Sequence, residues 1–211
     1  MSRYLVSPHA QGTDGWRTDR LGKVTGSTVA ALFAKGAGKS RAGLRAELVL
    51  ERLLGTPVAT PFESEDMAWG TEQEPHSRMA FEIETGLDVA QAGFLYLPHL
   101  MAGCSVDGLM VEHNELGIWE SKSPKSKTHY AYLLAGELPA VYRRQVIHNI
   151  WITGARFAYF SSHDPRMPGT LKSMHVRVER DEVEVNAHEA AVLQFLMETD
   201  AEEKLMRLRA D

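Results

Sequence analysis

The runs 104–111 and 117–122 are short, rich in strand-forming residues and separated by a few positions that include Asn114. That pattern predicts two strands joined as an antiparallel hairpin. The rest of the chain must then supply elements to cover a sheet. Another strand-like run, 93–97, precedes the hairpin, and two more, 157–161 and 174–178, follow it. Helical patterns alternate with them. One short helix, capped by Thr25 or Ser27, ends near Ala34. Another spans 40–54 with Gly55 just past its end, and a third spans 72–84 and is closed by Gly86. Pro75 fits that third helix only in its first turn, where a missing N–H is harmless. Two more helices cover 126–135 and 139–152, and a long one covers 182–208. The order predicts an α/β architecture with a central mixed sheet flanked by helices. We expect one domain over 1–211, with a basic helical part at 1–55, a core at 66–180 and a terminal helix at 182–209.

Composition excludes several classes. The 211 residues are 44% hydrophobic and 24% charged, ordinary for a globular protein. Cys104 is the only cysteine, so no intrachain disulfide can form and a reducing compartment is expected. No signal peptide and no apolar run of membrane-spanning length is legible, which makes the cytoplasm the expected location. The net charge of −5 is unevenly spread. Residues 1–45 hold eight basic side chains and two acids, whereas 179–211 hold ten acids and four bases. One reading is a surface that meets a polyanion at the basic end; the other is ordinary solvation.

The chemistry concentrates in the hairpin. Asp107 stands near the end of its first strand, and Glu120 and Lys122 stand two apart on the second. Period two puts Glu120 and Lys122 on one face, and the pairing brings Asp107 alongside. Two carboxylates and an ammonium at one place suit phosphodiester hydrolysis. Hard oxygen ligands hold Mg²⁺, and the Ser121 carbonyl is a further candidate ligand. Lys122 would orient or deprotonate water, or stabilise developing charge. A solvated Glu–Lys pair is the alternative. The apolar neighbours Ile118 and Trp119 argue for a buried strand, where such a pair needs a reason.

Several motifs occur in one order: Trp16-Arg-Thr-Asp-Arg20, Thr25-Gly-Ser27, Gly70-Thr-Glu-Gln-Glu74-Pro, Ser105-Val-Asp107-Gly, Glu120-Ser-Lys122, Gln145-Val-Ile-His-Asn-Ile-Trp151 and His163-Asp-Pro-Arg-Met167. In this order they resemble the phage lambda exonuclease family, also called YqaJ-type or alkaline exonucleases, over about residues 14–180. The resemblance implies a restriction-endonuclease-like (PD-(D/E)XK) core. It also implies a 5′→3′ exonuclease that digests one strand of linear duplex DNA and leaves 3′ single strands for an annealing protein. A homotrimeric ring around the DNA is implied too, as is Mg²⁺, for which Mn²⁺ can substitute. By similarity Glu74, Asp107 and Glu120 are metal ligands and Lys122 the catalytic lysine. Arg20, Thr25, Ser27 and Ser105 are placed at the 5′-phosphate, and Gln145 near the active site. Arg143 and Arg144 are candidates for backbone phosphate contacts. Val106 departs from the proline that often precedes the aspartate, and 97–103 carries no acid where lambda exonuclease itself has one.

Other readings stay open at this point. One is a structure- or sequence-specific endonuclease on the same fold, and another is a silent DNA-end-binding protein. Gly38-Lys39-Ser40 is not a P-loop, because Phe33 stands where the first glycine is needed. The nine histidines lack ligand-like spacing, and Cys104 reads as a small buried hydrophobe.

Overall fold

The computed structural model describes residues 3–34, 39–58 and 64–210. In chain order its elements are β1 (Leu5–Val6), α1 (Asp14–Arg20), β2 (Val24–Thr25), α2 (Val29–Leu32), α3 (Lys39–Leu54), α4 (Glu65–Thr85), β3 (Leu95–Tyr96) and β4 (Ala102–Cys104). There follow β5 (Gly108–Glu112), β6 (Glu115–Lys122), α5 (Ser126–Ala135), α6 (Ala140–Thr153), β7 (Phe157–His163), β8 (Ser173–Glu179) and α7 (Glu182–Ala210). The fold is mixed α/β, as expected, but the sheet is divided in two. One sheet has the order β5-β6-β7-β8 and the other β1-β3-β4-β2. In the first, β5–β6 and β7–β8 are antiparallel and β6–β7 is parallel. Among the described residues no helix is long and apolar enough to cross a membrane.

The hairpin forms as predicted, with Glu112 paired to Glu115. His113 and Asn114 at its tip have φ of 50° and 66°. A two-residue turn of this hand needs positive φ at both central positions, which asparagine tolerates well. The run 104–111, expected as one strand, is broken. The chain leaves the small sheet at Cys104, passes through 105–107 and enters the large sheet at Gly108. Alternation of side chains continues through the break, so periodicity alone cannot reveal it.

β6 is the middle of the site. Ile118 and Trp119 are fully buried on opposite faces. Ile118 joins the core that includes Ile147 and Ile150 of α6, and Trp119 packs with Phe81 of α4 and Phe157 of β7. The Trp119 indole N–H donates to Ser161 Oγ at 2.8 Å. Full burial of one such aromatic stabilises by about 3 kcal/mol. By the same alternation Glu120 and Lys122 face α6, and Ser121 faces α4.

Two expectations are corrected here. Helix α4 starts at Glu65, where Ser64 Oγ accepts the Met67 N–H, so Pro75 and Glu74 sit in its interior rather than its first turn. Pro75 and Thr71, whose carbonyl loses its helical donor, are both exposed, so water can satisfy that carbonyl. Likewise Thr25 and Ser27 cap nothing; α2 is one turn long and follows Thr28. Gly38 of the P-loop-like run, and residues 59–63 after α3, lie outside the described residues.

The basic and acidic ends meet each other. Arg41 and Arg45 of α3 bond Glu198 and Glu202 of α7, and Arg52 reaches Asp200 and Glu203. These hydrogen bonds, first that of Arg41, hold the Glu198 carboxyl down at about 2. The arginines of α3 therefore serve an interhelical network and do not form a free polyanion-binding surface.

Between α6 and α7 two buried histidines, His148 and His188, are hydrogen-bonded to each other. His148 Nδ1 lies 3.0 Å from His188 Nε2, and His148 Nε2 lies 3.1 Å from the Gly103 carbonyl. Both are neutral: burial lowers His148 to about 4 and, with His148 and Arg144 adding to the effect, His188 to about 3. Because the folded values lie below the unfolded value near 6.5, this contribution is intact above that pH. It is lost as pH falls toward about 4. Denaturant unfolding at pH 7.5 and 5.0 should show wild type losing more stability than His188→Leu, by about 1–2 kcal/mol. Equal losses would contradict the neutral pair. The comparison is with the variant because the raised carboxyl of Glu74 titrates in the opposite sense over part of that range.

Candidate active site

A groove of about 590 Å³ opens at the C-terminal end of β6, lined by Trp69 and Glu74 of α4 and by Asp107, Ser121, Lys122, Lys125, Tyr142 and Arg166. Asp107 stands in the break just before β5. Its Oδ2 accepts the Ser121 N–H at 2.7 Å, which locks the carboxylate across the hairpin. Glu120 is 1% exposed at its side chain, and Lys122, 27% exposed, donates to its Oε1. Lys122 Nζ also donates to the Ser121 carbonyl at 3.0 Å and lies 5.5 Å from the centre of the Tyr142 ring. From α6, Gln145 donates to Glu120 Oε1 at 2.5 Å and Asn149 to Oε2 at 3.1 Å. Each oxygen of this buried carboxylate thus has a donor, which is what its burial demands.

Glu74 comes from α4, on the other face of β6. Ser77, one turn on, exchanges a 2.7 Å hydrogen bond with Ser121 Oγ and ties that helix to the strand. Burial and then Asp107 raise Glu74 to about 7. Glu120 is raised as well, first by burial; Lys122 opposes this while Asp107 and Glu74 add to it. Burial would lower Lys122, but Glu120 and Asp107 hold it above its ordinary range. The carboxylates therefore repel one another, and Lys122 offsets part of that repulsion. As they stand, no three His, Cys, Asp or Glu side chains among the described residues close on one point. Glu74 and Asp107 line the groove from two elements, and Glu120 is buried on a third beside Lys122, which also lines it.

A second cluster lies next to the first. Arg20, at the end of α1, donates to Ser105 Oγ and Ser27 Oγ at 3.0 Å each and to Thr25 Oγ1 at 3.5 Å. Its guanidinium lies 4.3 Å from the Trp16 ring centre, and Trp16 Nε1 donates to the same Ser105 Oγ at 3.0 Å. Burial lowers its pKa. Among the described residues no carboxylate lies within ion-pair range of it. A half-sequestered guanidinium cradled by hydroxyls is suited to a phosphate, which it can bond in bidentate fashion. Ser105 is two residues from Asp107, so the strand break joins the two clusters.

All the residues singled out above converge on these clusters, except for the neighbouring arginines. Arg143 is paired with Glu184 at 2.5 Å, and Arg144 stacks on Phe33, 4.1 Å from its ring centre. Both serve packing. Cys104 is fully buried and its thiol is pushed up by burial, consistent with an inert side chain. Sequence reasoning missed Asn149 and Ser77. Asn149 lies within the quoted helix motif, one turn after Gln145, and that spacing could have revealed it.

A family model described as a YqaJ-like viral recombinase domain matches residues 15–156. The structure superposes on an alkaline exonuclease (LHK-Exo) from Laribacter hongkongensis with a TM-score of 0.85 at 35% identity, covering 94% of this chain and 98% of that one. The same relative in complex with dAMP gives the same figures, a TM-score of 0.85, 35% identity and coverage of 94% and 98%. A phage related exonuclease from Haemophilus somnus 129PT matches with a TM-score of 0.63 at 13% identity, covering 87% of this chain and 96% of that one, a likeness of fold. No curated protein sequence matches the chain.

Proposed function

We propose, from the premise that this chain belongs to the YqaJ-like viral recombinase domain family and is a deoxyribonuclease, that it digests one strand of linear duplex DNA from its 5′ end. The 3′ single strand left behind would serve recombination by strand annealing. The observation that supports this most is the joining of two clusters through 105–107: a carboxylate–lysine centre at a groove end, and a hydroxyl-lined arginine beside it. Such a cradle gives an enzyme that starts at a 5′ end a place for the terminal phosphate.

In this reading Arg20, with Thr25, Ser27 and Ser105, holds the terminal 5′-phosphate. Asp107, Glu120, Glu74 and the Ser121 carbonyl would hold Mg²⁺ or Mn²⁺. The donor set fits a hard divalent ion, since Lys122 already places a cation between Glu120 Oε1 and the Ser121 carbonyl. The ion, when bound, supplies charge neutralisation at the phosphate and a water of lowered pKa. Gln145 and Asn149 keep Glu120 oriented, and Lys122 stabilises the charge that develops on the scissile phosphate. The relative's dAMP complex fits release of a mononucleotide. Family membership also supports a homotrimeric ring around the duplex and hand-over to an annealing protein.

The test compares linear duplex with closed circular DNA of the same sequence in Mg²⁺. Loss of the linear DNA with the circle intact is expected. Nicking of the circle would replace this reading with an endonuclease on the same fold.

A further inference from the structure

The Arg20 cradle and the Glu120 centre touch at a second place besides the 105–107 segment. Gly26 lies between the two cradle residues Thr25 and Ser27 and is buried. A Cβ at Gly26 would fall 2.3 Å from Asn149 Oδ1, 3.3 Å from its Cγ and 3.4 Å from Gln145 Cγ. The backbone of the cradle therefore rests directly on the amide whose other end donates to Glu120 Oε2 at 3.1 Å. Asn149 is fully buried, and its Oδ1 has no hydrogen-bond partner. A buried amide oxygen left without a donor needs an explanation. Hydrogen bonding does not provide one here, because only the amide nitrogen is used. Contact does: the carboxamide fills the gap between the cradle and the carboxylate.

We infer that Asn149 is a positioning residue that sets the separation between the strand end held at Arg20 and the centre at Glu120. This rests on the function proposed above. If the terminal phosphate sits in the cradle and the next phosphodiester at the centre, that separation decides how many nucleotides leave per cut. A methyl at Gly26 would push the cradle away. Shortening Asn149 to serine removes Oδ1, the one atom that clashes, puts a smaller Oγ near the place of Cγ, and leaves Gln145 Cγ at ordinary contact distance. The two positions should therefore compensate each other.

The experiment measures two quantities for wild type, G26A, N149S and the double variant. One is the ratio of kcat/KM for 5′-phosphoryl over 5′-hydroxyl duplex ends; the other is the length of the released products. G26A should lower the ratio at least about tenfold and add dinucleotides to the products. N149S should lengthen products too, with a lower kcat because Glu120 loses a donor. The double variant should recover the ratio to within about threefold of wild type, since contacting residues couple and independent ones add. A structural role alone would leave product length at the wild-type value in all four proteins. If wild type shows no preference for 5′-phosphoryl ends, the functional reading falls and the inference falls with it. If wild type shows the preference but both single variants keep its ratio and product length, or the double variant is merely additive, the inference alone is overturned. Thermal melts accompany each protein; should G26A not fold, longer products from N149S and their reversal in the double variant decide the matter.

Discussion

Lys122→Ala is expected to lower kcat on linear duplex DNA by about 10³-fold while leaving duplex affinity within about tenfold. Among the described residues the side chain is the only cation that bonds Glu120, and its Nζ also reaches the Ser121 carbonyl. Its loss removes the positive charge closest to the carboxylates without touching the Arg20 cradle. The fold should persist, because Gln145 and Asn149 still donate to both oxygens of Glu120 and burial already favours its protonated form. Single-turnover rates at saturating enzyme separate the chemical step from binding. Lys122→Arg should recover little, since a planar fork cannot occupy the position of a compact ammonium between two oxygens. A Lys122→Ala enzyme with near wild-type kcat would mean that chemistry occurs elsewhere.

The second large effect is expected at Arg20. Arg20→Ala should lower kcat/KM for 5′-phosphorylated ends by roughly 10–100-fold, the range for losing hydrogen bonds from a charged group. Phosphorylated and hydroxyl ends should then be handled alike. Arg20 donates to three hydroxyl oxygens that remain after truncation, and it stacks on Trp16. Arg20→Lys should restore only part of the preference, because one ammonium cannot make the bidentate contact. Preference for 5′-phosphoryl ends should also weaken as salt rises, since the interaction is electrostatic. A variant that keeps the wild-type preference would remove the cradle from the account.

The hairpin, and with it Asp107, Glu120 and Lys122, was legible because three separate signals agreed there: turn residues, period two and apolar neighbours. Helix ends were legible for a similar reason. Gly55 and Gly86 both adopt the left-handed conformation expected of helix C-caps. The start of α4 was not legible, since Gly70 and Pro75 both argue against a helix that the structure nevertheless carries through them. Exposure of Pro75 and Thr71 to water removes most of the cost that local propensity assigns there. The division into two sheets also escaped, because alternation runs on through 105–107. Charge asymmetry did not reveal that the arginines of α3 face acids more than 140 residues away, a pairing that only tertiary structure creates. Glu74 depended on ordered motifs. Its helix and its opposite face of β6 lie outside any spacing rule. The family read from those motifs is the one the chain belongs to.

The central claim is that this site removes nucleotides from a 5′ end. Its most direct test uses a linear duplex phosphorylated at one 5′ end only, with each strand carrying a different label, in buffer with Mg²⁺ or with chelator. The account predicts loss of the 5′-phosphorylated strand alone, in Mg²⁺ only. Loss of the opposite strand, equal loss of both, or digestion in chelator would contradict it.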